Sequence, residues 1–306
     1  MASTNRKTAA RKLAREANIP YQKALKAVLG EEPVKEAAPP QEALWWQLRS
    51  GPLSLPDRSF DLYGDDEFPL GRDAAGKEIV LNLSQTPHLL VIGPTGSGRT
   101  IPVRSMVLRA LANHTWRACL IDLKRTEFHG FHGHPAVLSI ASDLSAAVDM
   151  LRACEDEMQQ RYVAMHAKSV SHFAHLANVP KRLLIVIDEA YPLFNGKPGG
   201  QDEALALQSR ILMESVARLG RAAGVHLVVS SARPLQELGP AAETLASFDA
   251  RIVMGSADEA TIGLLMSGDA PTAILSTKGG AMMQRTGPHE PTLDAFGVYW
   301  MPKPTD

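Results

Sequence analysis

Between residues 60 and 301 the chain alternates two patterns. Short runs of consecutive apolar residues give way to longer stretches in which apolar positions recur every three or four residues. The runs predict strands over Ile79–Leu83, Leu89–Ile92, Ala118–Asp122, Val137–Ile140, Leu183–Ile187, Val225–Ser230, Arg251–Met254 and Ala281–Gln284. Several have no polar interruption, as expected for a strand covered on both faces. Over Asp143–Tyr162, the residues Leu144, Val148, Leu151, Met158 and Tyr162 make one helical stripe. Over Asp202–Ala222, Leu205, Ile211, Leu212, Val216 and Leu219 make another. Alternation of strands and helices predicts an α/β fold with a mainly parallel sheet flanked by helices. There is no internal repeat.

The first sixty residues read differently. Two short helices are predicted, Thr4–Ala17 and Tyr21–Leu29, with Pro20 in the first turn of the second and Gly30 as its stop. Residues 1–30 carry seven basic side chains and one acid, a net +6 in a chain whose formal charge is −1. A basic helical head at 1–30 is thus joined to a mildly acidic body. Residues 31–59 read as a linker that starts rich in Pro, Ala and Glu and holds the Trp45-Trp46 pair. The body is 60–306. At 45% hydrophobic and 21% charged residues, global disorder and fibrous architectures are excluded. Two cysteines, Cys119 and Cys154, exclude a disulfide scaffold and a Cys-based zinc ribbon, and both read as small buried hydrophobes. The apolar runs are too short for a membrane span, and the N-terminus lacks the apolar stretch of a secretory signal. The expected location is cytoplasmic. Glu127, His129, His132 and His134 read as polar loop residues rather than a metal site.

Gly93-Pro94-Thr95-Gly96-Ser97-Gly98-Arg99-Thr100 matches the P-loop pattern at every fixed position but one, between an apolar strand and a helical stretch running to about Asn113. Glycines let backbone N–H groups turn toward phosphate oxygens, and the helix N-terminus adds its positive end. The Thr100 hydroxyl is the expected Mg²⁺ ligand. Arg99 stands where lysine is expected. It keeps the charge and is expected to hold the phosphates in the lysine's place, but it is longer, planar and differently hydrated.

Leu183–Ile187 ends in Asp188-Glu189, a buried strand that carries two carboxylates to the C-terminal edge of the sheet. Asp188 is the expected Mg²⁺ holder and Glu189 the general base that polarises the attacking water.

This ordered series resembles the FtsK/SpoIIIE family of DNA-pumping ATPases. The resemblance runs through His88–Gly98, Leu120-Ile121-Asp122-Leu123-Lys124 and Glu157-Met158-Gln159-Gln160-Arg161-Tyr162. It continues through Ala217-Arg218-Leu219-Gly220-Arg221-Ala222-Ala223-Gly224-Val225-His226-Leu227, then Arg233-Pro234 and Phe248–Ile252. It covers nearly all of the body. It implies a RecA-like P-loop core that uses ATP and Mg²⁺, assembled as a homo-oligomeric, hexameric ring around double-stranded DNA. It also implies an arginine lent to a neighbour's γ-phosphate, for which Arg218 and Arg221 are the matching candidates. Two departures bear on rate: Arg99, and Ala232 in place of a polar residue in Ser231-Ala232-Arg233-Pro234. The family's membrane spans and winged-helix DNA reader are not in this sequence, which points to a stand-alone motor of plasmid, conjugative-element or phage type. The expected function is ATP-dependent translocation of duplex DNA. The alternative is a nucleotide-binding adaptor in a transfer or packaging complex that turns over slowly or not at all. The basic head could dock on a membrane channel or capsid.

Overall fold

The computed structural model describes residues 10, 12, 53–54, 63–195, 200–233, 247–255, 257, 259–266, 275–276, 279–286 and 291–300. The predicted head and linker therefore lie outside the described residues, apart from Ala10 and Lys12, both helical, and the short strand Leu53–Ser54.

Eleven strands form one sheet among the described residues. In chain order they are β1 (Leu53–Ser54), β2 (Glu67–Asp73), β3 (Glu78–Asn82), β4 (Leu89–Ile92), β5 (Trp116–Ile121), β6 (Val137–Ala141), β7 (Arg182–Ile187), β8 (Val225–Ser231), β9 (Ala250–Met254), β10 (Gly280–Arg285) and β11 (Thr292–Trp300). The helices are α1 (Thr100–Leu111), α2 (Leu144–Ala167), α3 (Tyr191–Phe194), α4 (Gln201–Ala223) and α5 (Glu259–Leu265). The spatial order is β3-β2-β11-β10-β9-β4-β8-β7-β5-β6, with β1 beside β11. The six strands from β9 to β6 are parallel. From β9 through β10, β11 and β2 to β3 every pairing is antiparallel. All eight predicted strands are present. The antiparallel flank is an addition: β2 and β11 were not among the predicted strands.

Successive residues of a central strand enter opposite cores, as the period of two requires. Leu90 and Ile92 join the cluster under α2 and α4, whereas Leu89 and Val91 join the one under α1. Such strands, buried on both sides, need helical cover on both faces.

Helix α2 begins where expected, with the Asp143 carboxylate accepting the Ala146 N–H at 2.9 Å. Helix α4 is placed correctly, and of its predicted stripe Val216 is buried and Leu212 and Leu219 pack against the core, whereas Ile211 is 56% exposed. Its buried residues are Ala206, Ser209, Met213, Val216, Ala217, Gly220 and Ala223. No helix among the described residues is long and apolar enough to cross a membrane.

Candidate active site

The loop after β4 and the acids after β7 meet at the C-terminal edge of the parallel strands. Strand β4 pairs with β8 on one side and β9 on the other, so the chain departs in opposite directions at this point. Such a switch point opens a crevice at the strand ends.

The glycine loop is shaped by contacts that exclude side chains. The Gly93 N–H donates to the Ser231 carbonyl at 3.3 Å, and a Cβ at Gly93 would lie 2.3 Å from the Met254 carbonyl oxygen. Gly96 and Gly98 have φ of 86° and 96°. A Cβ at Gly96, which is exposed, would meet nothing within 4 Å. The Ser97 hydroxyl is buried without a hydrogen-bond partner among the described residues. The loop runs directly into α1, whose first residue is Thr100. A glycine-rich turn that leads straight into a helix N-terminus fits a phosphate.

Four of the predicted residues come together beside it. The Thr100 hydroxyl lies 3.5 Å from Asp188 Oδ1, and the Ser230 hydroxyl donates to the same oxygen at 3.3 Å. These hydroxyl and carboxylate oxygens are the hard donors that suit Mg²⁺. Arg99 Nη2 lies 3.2 Å from Glu189 Oε2. Lys124 Nζ contacts that same oxygen, also at 3.2 Å. Glu189 Oε1 accepts the Ala232 N–H at 3.0 Å and the Ser231 hydroxyl at 3.3 Å. Every side of the Glu189 carboxylate is therefore occupied. A backbone N–H does at Ala232 what its methyl side chain cannot.

Burial makes Asp188 and Glu189 diverge. Desolvation pushes the Asp188 carboxyl above its ordinary range, and nearby Glu127 adds to this against the opposing pull of Lys124 and Arg99. Desolvation also pushes on Glu189, but the Ala232 N–H, Arg99 and Lys124 outweigh it and hold that carboxyl below its ordinary range. The first acid is thus short of positive charge and the second is well supplied.

Arg218 and Arg221 lie elsewhere. Both are exposed near the C-terminus of α4, which feeds the start of β8. Strand β8 is seven residues long, so roughly 20 Å separates that end from the loop edge. Neither arginine belongs to its own chain's phosphate site. Sequence reading did not assign roles to Arg161 and Tyr162, which fix this helix end. The Arg161 guanidinium, 4% exposed, donates to the carbonyls of Ala223 and Lys181 at 2.7 Å each. The Tyr162 hydroxyl donates to the Leu219 carbonyl at 2.6 Å. Sequence reading also left Lys124, Ser230 and Ser231 without roles. Their signal was position: each stands at or just past the C-terminal end of a predicted central strand.

Residues 61–194 match the profile of the FtsK/SpoIIIE family, a span that contains both the loop and the acid pair. Over this span, which is somewhat under half of the chain, the protein is similar to the FtsK/SpoIIIE family. Among full-length relatives, the DNA translocase FtsK of Helicobacter pylori is 30% identical over 205 residues, covering 63% of this chain and 21% of that protein. The FtsK of Borreliella burgdorferi is 28% identical over 215 residues, covering 62% and 26%. The chain thus spans about a fifth to a quarter of the length of these relatives. Among solved structures, the conjugation coupling protein TcpA of pCW3, in its monomer form with ATPγS, superposes with a TM-score of 0.71 at 20% identity. It covers 81% of this chain and 69% of TcpA. The cytoplasmic domain of the type VII secretion ATPase EccC of Thermomonospora curvata gives 0.61 at 22% identity, covering 79% and 29%. These two are likenesses of fold. The eleven-stranded sheet with its helical layers is accordingly a fold that this chain shares with TcpA and EccC.

Proposed function

We propose that this chain is an ATP-hydrolysing motor that moves double-stranded DNA, working as a ring of identical subunits. The observation that carries the reading is the junction of the glycine loop with two inequivalent carboxylates, Asp188 and Glu189, inside an FtsK/SpoIIIE-like domain. The relatives' description as DNA translocases supports DNA as the substrate.

ATP, when bound, would supply the phosphoanhydride, and Mg²⁺ would supply a Lewis acid. The backbone of Gly93–Gly98 and the start of α1 bind phosphate, with Pro94 and Thr95 as part of that rim. Thr100 and Asp188 hold the metal. Glu189 takes the proton of the attacking water at one carboxylate oxygen. For this it must first release one of its donors, since all of them are engaged when the site is at rest. Arg218 or Arg221 serves a neighbouring subunit's site, because each lies at the edge remote from its own. The basic head at 1–30 meets DNA phosphates, or a membrane or capsid partner.

A second reading is favoured by the same carboxylate. With Arg99, Lys124, Ser231 and Ala232 all on Glu189, the protein would bind nucleotide and turn it over slowly, as an adaptor in a transfer or packaging assembly. Steady-state phosphate release separates the two. A motor releases phosphate over many turnovers and accelerates clearly with long duplex DNA. The motor reading fails if nucleotide binds but release stays at one equivalent or below with and without DNA.

A further inference from the structure

Lys124 stands two residues beyond buried Asp122, which is 2% exposed and directly follows β5. The loop that carries it is closely built. One Asp122 carboxylate oxygen accepts the N–H groups of Glu127 at 2.7 Å and Phe128 at 3.1 Å. Arg125 turns in the left-handed region, φ 57°, and its N–H bonds back to the Asp122 carbonyl at 3.1 Å. The Phe128 ring is fully buried. Glu127 is tied to Arg104 of α1 at 3.2 Å, so the loop is fastened to the helix that continues the phosphate loop.

These ties bring the Lys124 ammonium and the Arg99 guanidinium to a single atom, Glu189 Oε2, each at 3.2 Å. The two cations differ in freedom. The Arg99 side chain is 9% exposed, whereas that of Lys124 is 48% exposed. The lysine head can leave its partner with little change in solvation. The enclosed guanidinium is held where it is. Lysine is also the compact, flexible point charge that a terminal phosphate takes, and the phosphate loop has none. Arg99 and Lys124 both contact Glu189, while Arg104 and Glu127 pair with each other. A nucleoside triphosphate brings more negative charge than its Mg²⁺ returns. Of the two cations on Glu189, Lys124 is the one exposed enough to meet it.

We propose that Lys124 binds the terminal phosphate of the nucleotide, supplying the ammonium that the phosphate loop lacks, while Arg99 stays on Glu189. Nucleotide binding then draws Lys124 off Glu189 and frees one position on Oε2. This inference rests on the nucleotide reading above and adds to it a residue and an exchange of partners.

The test measures affinity on the full chain, with Mg²⁺-ADP and with a Mg²⁺-bound non-hydrolysable triphosphate. The proteins are the parent, Lys124→Gln, Lys124→Arg, Glu189→Gln, and Lys124→Gln combined with Glu189→Gln. Lys124→Gln should weaken the triphosphate about tenfold or more while changing ADP little, because the bond lost is to the terminal phosphate. Lys124→Arg should recover most of that loss. Glu189→Gln should tighten the triphosphate severalfold by removing the competitor for Lys124, and that gain should disappear in the double variant. Equal effects on the two nucleotides, or a Glu189→Gln gain that survives undiminished in the double variant, would overturn the role of Lys124. A parent protein that binds neither nucleotide would overturn the nucleotide reading itself.

Discussion

Glu189 has φ of 88°, a conformation that side chains other than glycine rarely adopt. It is kept there by its neighbours: its own N–H and that of Ala190 both bond to the Ser230 carbonyl, at 3.2 and 2.8 Å. Strain of this kind gathers where geometry must be exact for chemistry. It also gives a clean comparison. Glu189→Ala and Glu189→Gly both lose the carboxylate, but only the glycine escapes the backbone cost. The glycine variant should be the more stable of the two by about 1 kcal/mol in chemical denaturation. Equal midpoints, or a more stable alanine variant, would show that the backbone is unstrained. The acid pair itself was legible in the sequence, because a buried run ending in two carboxylates has few readings. What crowds the second carboxylate was not. Its partners come from 43, 65 and 90 residues away, and only folding brings them together.

At the scale of elements, the end of α4 is the most elaborately tied. Gly224 closes the helix in the left-handed region, φ 68°, and a Cβ there would lie 2.5 Å from the Phe173 ring. Arg161 meets the last carbonyls from α2, and the Arg161 guanidinium lies over the same ring at 6.0 Å. Part of the signature from Ala217 to Leu227 is thus a packing device for a helix end, whatever its arginines do. Arg161→Met should cost about 3 kcal/mol, since it strands buried carbonyls that a charged donor had satisfied. Tyr162→Phe should cost about 1 kcal/mol. Guanidinium denaturation of both variants checks the ranking, and a Tyr162→Phe loss equal to that of Arg161→Met would be against it. The strands that escaped sequence reading have a shared reason. β2 contains Pro69 and Gly71 with a register shift between them. β11 carries Asp294 and Gly297 among its apolar residues. Both depend on the sheet already built beside them, and neither has a period of its own.

At the scale of the whole molecule, acid is the expected weakness. His88 and His226 lie at the starts of β4 and β8, 0% and 3% exposed. Burial lowers each to about 3, and for His226 the proximity of His88 adds to it. An unfolded chain takes up protons at these rings near pH 6.5. The folded chain does not until about 3. The stability they contribute is therefore full above pH 6.5 and is lost as pH falls from there toward 3. The slope can approach about 1.4 kcal/mol per unit for each ring. Denaturant midpoints at pH 7.5, 6 and 5 should fall in that order, and a flat profile would contradict the assignment.

The placement of β8 between β4 and β7 has a metric consequence. Neighbouring strands are spaced about 4.8 Å apart, so the strand leading to the glycine loop and the strand leading to the acids stand about 10 Å apart, axis to axis. Had they been neighbours, the gap at their tips would hold little more than a water. Two spacings leave a slot about as wide as a phosphoryl group with a hydrated cation beside it. The floor of that slot is the tip of β8, where the Ser231 carbonyl takes the Gly93 N–H and the Ser230 carbonyl takes those of Glu189 and Ala190. Strand β8 acts as a gauge block. Its thickness sets the width of the chamber, and its two serines register both walls to one another, so a shift of this strand would alter the bite of the site without touching either motif.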